Sequence, residues 1–211
     1  YRYYSNNNII KGLIRMIARK KDKNLVPKYW YNIVPYIKNE LHFKIPPLLD
    51  AKTGKKVDVE GLSRIIPREL VKQEINFGDY ATHDHVNIPK EVLDLYMSYR
   101  PTPLVRAKKL EKYLKLKKVK IYYKREDANI IGSYKLNSSF PQAYYAKKDG
   151  IKIFVADTGP GNWGMGMALA CKRFSIPAMI FMEKRNYDAK IRKVRAMENL
   201  GAEVIPIETK Q

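Results

Sequence analysis

Cysteine occurs once in the 211 residues, at Cys171, and histidine only three times. A lone cysteine excludes a disulfide framework within the chain and a cysteine-rich metal centre, and it fits a reducing compartment. His83 and His85 stand in an H-D-H triplet that would share one side of a strand, but polar residues flank it. An ordinary loop is the expected state there, and no metal site is assigned. Long apolar runs are also missing, since none approaches the ~18 residues needed to span a membrane.

Acids are scarce as well. Lys and Arg number 41 against 21 Asp and Glu, a formal net charge of +20. Such an excess suits an anionic partner such as nucleic acid or an acidic membrane face. The charge is spread along the chain, however, and no RNA-recognition, zinc-finger or helix-turn-helix signature focuses it. Specific nucleic-acid binding is therefore not assigned. With 45% hydrophobic residues the chain can bury a core.

The charge is densest at the start. Residues 1–28 hold eight Lys or Arg and one acid, Asp22. Ile9, Ile10, Leu13, Ile14 and Ile17 recur at helical spacing with basic residues opposite. Two readings stand side by side. One is an organellar transit segment (mitochondrion or plastid) or a membrane-surface helix; the other is a plain amphipathic helix on the body of a cytoplasmic protein. The expected division is a basic extension over 1–26, a proline-rich layer over 27–149 and a further subdomain over 150–211.

Residues 25–60 are rich in loops, and P-K-Y-W-Y-N (27–32) would wrap a surface through its aromatics. Helices are expected over Gly61–Asn76, interrupted near Pro67, and over Pro89–Ser98. R-P-T-P-L (100–104) is an extended strap, because each proline pushes the residue before it away from α geometry. Leu104–Leu116 reads as a basic helix and Lys120–Lys124 as a strand. Leu136–Lys148 should be helical, with Pro141 its awkward member. Strands are expected at Ile151–Ala156, Ala178–Met182 and Ala202–Ile207. Helices Met165–Phe174 and Asp188–Leu200 separate them, the second closed by Gly201. Strands alternating with helices give an α/β fold with a mainly parallel sheet and helices on both faces.

Two stretches carry chemistry. D-T-G-P-G-N-W-G (157–164) is a glycine loop between a strand and a helix, where free backbone N–H groups and a helix N-terminus converge on one point. It has neither the P-loop spacing nor G-x-G-x-x-G, so a small carboxylate suits it better than a nucleotide. The other is G-S-Y-K-L-N (132–137), in which Lys135 follows a glycine turn at the start of a helix. A lysine desolvated in such a place exposes a nucleophilic amine.

The order of these motifs resembles the tryptophan synthase beta chain family, pyridoxal-phosphate enzymes of fold type II, and in particular its longer, second type. R-P-T-P-L, G-S-Y-K-x-N, Q-A-Y-Y-A-K, D-T-G-x-G-N, A-L-A-C and G-A-E-V-I-P fall in family-like order from about Pro27 to Pro206. The resemblance implies the N-terminal half of a two-domain fold. It implies that Lys135 is the Schiff-base lysine, with Tyr134, Asn137 and Asn162 also near the cofactor. Asp157 is implied to be the proton-handling carboxylate that orients indole. Thr158, Gly159, Gly161 and Asn162 are implied to hold the substrate carboxylate. The implied reaction replaces the β-hydroxyl of L-serine with indole to give L-tryptophan, in a homodimer with an alpha-type partner subunit. A phosphate-gripping glycine-serine loop is expected in sequence following Gln211.

Four positions depart from the family pattern. Tyr134 replaces a histidine, Asp157 a glutamate, Pro160 an alanine and Asn162 a glutamine. Asp157 keeps the charge but is one methylene shorter. Pro160 has no N–H to offer, and losing one preorganised donor costs roughly 2.7–4 kcal/mol in comparable anion holes. This clustering also describes a relative with an altered substrate, or a non-catalytic structural subunit of a basic, RNA-containing assembly.

Overall fold

The computed structural model describes residues 25–71 and 83–208. The basic segment 1–24 and the far part of the expected Gly61–Asn76 helix lie outside the described residues. Strand β1 (Tyr29–Tyr31) comes first, then helices α1 (Val34–Asn39), α2 (Val59–Ser63) and α3 (Arg68–Val71). The P-K-Y-W-Y-N aromatics therefore form a strand, not only a surface wrap. Strand β2 (His85–Asn87) pairs with it antiparallel, placing Trp30 opposite Val86. The H-D-H triplet is thus partly strand, and His85 stacks edge-on against Tyr29 and Tyr31.

Helix α4 (Lys90–Met97) follows with Pro89 at its N-cap, and it buries Val92 and Tyr96. The expected helix from Leu104 is corrected by the structure. Leu104–Arg106 is strand β3, and helix α5 runs only over Lys108–Tyr113. The reason is tertiary. Strand β4 (Tyr122–Lys124) pairs with β3 residue for residue, Val105 opposite Tyr123, and a β-branched residue suits that pleated surface.

Glu111 closes the hairpin from α5. It takes a two-pronged ion pair from Arg106, with contacts of 2.8–3.1 Å, and the Ile121 N–H at 2.7 Å. The Arg106 guanidinium, followed by that N–H, holds the carboxyl below its ordinary value of 4.5. The sign follows from linkage. A depressed carboxyl contributes fully above its ordinary value, and the contribution is lost as pH falls through the lowered one. Denaturant midpoints measured from about pH 5 downward should fall less steeply for Glu111→Gln than for the wild type. Equal slopes would contradict this.

Helix α6 (Leu136–Lys148) contains Pro141. A proline cannot donate to the carbonyl four residues back, here that of Asn137. The Tyr96 hydroxyl of α4 donates to that carbonyl instead. Tyr96 is almost fully buried, and burial pushes its phenol up to about 12, so the hydroxyl keeps its proton. Tyr96→Phe leaves the carbonyl without a donor and should cost about 1–3 kcal/mol by chemical denaturation. A cost near zero would show that water replaces the phenol.

The remaining elements form the parallel sheet, in order β5 (Phe154–Thr158), β6 (Ala178–Glu183), β7 (Ala202–Ile207). Helix α7 (Asn162–Phe174) links the first pair, and α8 (Lys184–Ala189) and α9 (Ile191–Asn199) link the second. Several boundaries differ from expectation: the expected strand from Ile151 begins only at Phe154, and the expected helix from Met165 begins at Asn162. Strand β5 extends through Asp157 and Thr158, because both pair with β6, opposite Phe181 and Met182. The expected helix Asp188–Leu200 is two helices, because Lys190 leaves helical geometry at φ −125, ψ 38. Alternation along β6 buries Ala178, Ile180 and Met182. The core also takes Met167 and Cys171 of α7 and Val194 and Met197 of α9. Burial pushes the Cys171 thiol up to about 12, so it is an inert core residue. Among the described residues no helix is long and apolar enough to cross a membrane, and no cluster of His, Cys, Asp or Glu could hold a metal ion.

Candidate active site

The lysine turn is organised by Asn129, a residue the sequence reading passed over. Asn129 is only 7% exposed. Its amide nitrogen donates to the carbonyls of Glu126 and Ser133, both at 2.8 Å. Its side-chain oxygen accepts from the N–H groups of Ile131 at 3.1 Å and Ser133 at 3.3 Å. One side chain thus satisfies four backbone groups of a turn that is too tight to satisfy them itself. The Lys135 N–H then donates to Ser133 Oγ at 3.3 Å. The Lys135 carbonyl accepts from Ser139 Oγ at 2.9 Å. Lys135 is half-buried at the N-cap of α6.

Asn137 is the second residue of the same helix. Its side-chain oxygen accepts from the Tyr99 hydroxyl at 2.7 Å, and its amide nitrogen donates to Glu126 Oε2 at 3.2 Å. Glu126 Oε1 accepts from Thr102 Oγ1 at 2.6 Å, and Thr102 Oγ1 accepts from the Lys124 amine at 2.6 Å. A polar chain therefore runs from the R-P-T-P-L strap to the lysine helix. It explains why Thr102 is buried. One N–H of the Asn137 amide remains beyond these bonds. Tyr134, beside the lysine, is 64% exposed.

The glycine loop opens α7. Gly161 is the N-cap, with φ +91 in the left-handed region, a conformation that only glycine adopts without strain. Thr158 is buried at the end of β5, and its Oγ1 accepts from the Gly164 N–H at 3.2 Å, satisfying one of the first-turn donors of α7. Strand alternation turns Asp157 the other way, and it is exposed along with Val155. Gly159 is also exposed. Asn162 is half-buried, and its side-chain oxygen accepts from the Lys193 amine of α9 at 2.5 Å.

One close approach ties the two motifs together. A Cβ placed on Gly166 would lie 2.4 Å from Ser139 Oγ, so α6 and α7 touch nearly backbone to backbone. Ser139 is the residue bonded to the Lys135 carbonyl. The lysine turn and the glycine loop thus open two helices packed face to face. The structure joins Asn162 to Lys193 and Asn137 to Glu126 and Tyr99, while Tyr134 and Asp157 present exposed side chains.

Comparison with known proteins defines the class. The family model described as pyridoxal-phosphate dependent enzyme matches residues 95–211, more than half of the chain, and the chain belongs to that family. Its curated relatives include the tryptophan synthase beta chain of Pyrococcus horikoshii, 42% identical over 182 residues, covering 86% of this chain and 38% of the relative. Tryptophan synthase beta chain 2 of Pyrococcus furiosus is 42% identical over 182 residues, covering 86% and 39%. The same-named chain of Thermotoga maritima is 37% identical over 193 residues, covering 92% and 43%. The chain spans about two-fifths of the length of these relatives.

The family cofactor is pyridoxal phosphate, and the donor set fits its aldehyde end. A primary amine, Lys135, is half-buried on a turn whose buried backbone groups Asn129 already occupies. The turn therefore keeps its shape without help from a ligand. Asn137, with an amide N–H that its bonds to Tyr99 and Glu126 leave over among the described residues, stands two residues further along, and Tyr134 is next in sequence.

Proposed function

We propose that the full-length protein is a tryptophan-synthase-beta-like enzyme, replacing the β-hydroxyl of L-serine with indole to give L-tryptophan and water. The observation that carries this reading is the joined helix pair: Lys135 opens α6, the 158–162 loop opens α7, and Ser139 and Gly166 lock the two together. Lys135 would hold the cofactor through its aldehyde, with Asn137, Tyr134 and Asn162 around it. When bound, pyridoxal phosphate supplies an electron sink for charge developing at the substrate Cα.

The chain's own residues do the rest. The Lys135 amine takes and returns the Cα proton, as a lysine fixed at a helix start can. Thr158, Gly159, Gly161 and Asn162 bind the substrate carboxylate. The first-turn N–H groups and the positive end of α7 favour an anion there. Asp157, exposed at the end of β5, would orient indole through its N–H and carry a proton. The homodimer and the alpha-type subunit rest on the resemblance alone.

The test is to supply the full-length protein with pyridoxal phosphate, L-serine and indole and to follow tryptophan fluorescence and cofactor absorbance. Tryptophan formation supports the reading. A second reading rests on Pro160, which contributes no N–H to the loop: a relative with an altered substrate or a structural role. A protein that binds the cofactor but forms no tryptophan would favour that alternative and sink the first.

A further inference from the structure

Lys193 is one cation among 41 Lys and Arg in the sequence, and it lies against the glycine loop. It projects from α9 onto the glycine loop. Its amine donates to the Pro160 carbonyl at 3.1 Å and to Asn162 Oδ1 at 2.5 Å. Its stem lies over the left-handed Gly161, where an added Cβ would fall 3.1 Å from Lys193 Cδ and 3.6 Å from its Cβ. None of the ion pairs among the described residues involves Lys193. Burial, and then the neighbouring Lys190, hold its amine below the ordinary lysine value. The cation is therefore partly withdrawn from water and spent on the loop rather than on an acid.

We infer that Lys193 is a positioning residue for substrate-carboxylate recognition, acting through Asn162 and Pro160. The chemistry of the contact fixes the geometry. An ammonium group donates and cannot accept, so Asn162 must turn its oxygen towards Lys193. The two N–H donors of that amide then point away from the lysine and stay free for an anion. Pro160 contributes no N–H at this loop, which leaves the Asn162 amide as a side-chain donor in its place. The same amine binds the Pro160 carbonyl and removes an acceptor from the set that an incoming carboxylate would meet. With Lys193 gone, the Asn162 amide can flip and present its oxygen to the anion.

The inference rests on the proposed reading of 158–162 as the substrate loop, and the test separates the two. The full-length protein, loaded with pyridoxal phosphate, is titrated with L-serine and with L-serine methyl ester, which lacks the carboxylate charge. Cofactor absorbance is the readout. Lys193→Met should weaken L-serine by about 10-fold, the scale of one charge-assisted hydrogen bond, and the ester by less than about 2-fold. Lys193→Arg keeps the donors and the charge and should recover most of the affinity. In an Asn162→Ala background Lys193→Met should cost little more, since both act on one donor. Equal weakening of acid and ester would show a merely structural role and overturn the inference, as would no weakening of either. If Lys193→Met does not fold, the same acid-against-ester comparison is read on Lys193→Gln, where the acid should again suffer more. A wild type that responds to neither ligand overturns the substrate-loop reading itself, and the inference with it.

Discussion

Lys135→Ala should leave the protein folded and remove its chemistry. The bonds at Lys135 belong to the backbone: its N–H to Ser133 Oγ and its carbonyl from Ser138 Oγ and Ser139 Oγ. Alanine keeps all three. The unfolding midpoint should therefore move by no more than about 0.5 kcal/mol, the usual range for a change that touches no buried contact. Turnover should fall by roughly 10^4- to 10^6-fold, the scale seen when a covalent nucleophile is removed from an enzyme. Lys135→Arg should not rescue it, because a guanidinium stays protonated and is no nucleophile at neutral pH. Stopped assays at high enzyme concentration, paired with chemical denaturation, separate the two effects. A large loss of stability in Lys135→Ala would mean that the side chain is structural.

Asn129→Ala should do the reverse. It removes no proposed catalytic group, yet it strips four partners from a partly buried turn. The Ile131 and Ser133 N–H groups and the Glu126 and Ser133 carbonyls lose their bonds together. Each unsatisfied buried group costs about 1–3 kcal/mol, and water will reach some of them, so a loss of about 3 kcal/mol is expected. Asn129→Asp should be no better, although it is nearly the same shape. It would set a carboxylate oxygen against the two carbonyls that the amide now serves. Activity should fall in both variants, because the turn aims Lys135. A midpoint unchanged in Asn129→Ala would show that the turn holds itself.

The parts of the fold legible in the sequence are those set by short-range pattern. The apolar run Ala178–Met182 is strand β6 nearly to the residue, and Gly201 follows the last helix before β7 as a left-handed cap should. Lys135 stood out only through the order of motifs around it. What stayed hidden depends on partners distant in sequence. Leu104–Arg106 looked helical, and only pairing with Tyr122–Lys124 makes it a strand. Pro141 looked like a defect until Tyr96, on another helix, was found on the carbonyl that it cannot serve. Lys193 reaches residues 31 and 33 positions away, and nothing local marks it. Asn129 did leave a trace: an asparagine three residues before a glycine suits a side-chain-held turn.

On the reading proposed above, Lys135, among all the lysines of this chain, carries the cofactor. Borohydride reduction of the full-length protein loaded with pyridoxal phosphate, followed by peptide mass mapping, tests it directly. One pyridoxyl modification is expected, on Lys135, within the peptide that spans the Gly132–Asn137 turn. Modification of a different lysine, or a scatter over many surface lysines with none favoured, would contradict it.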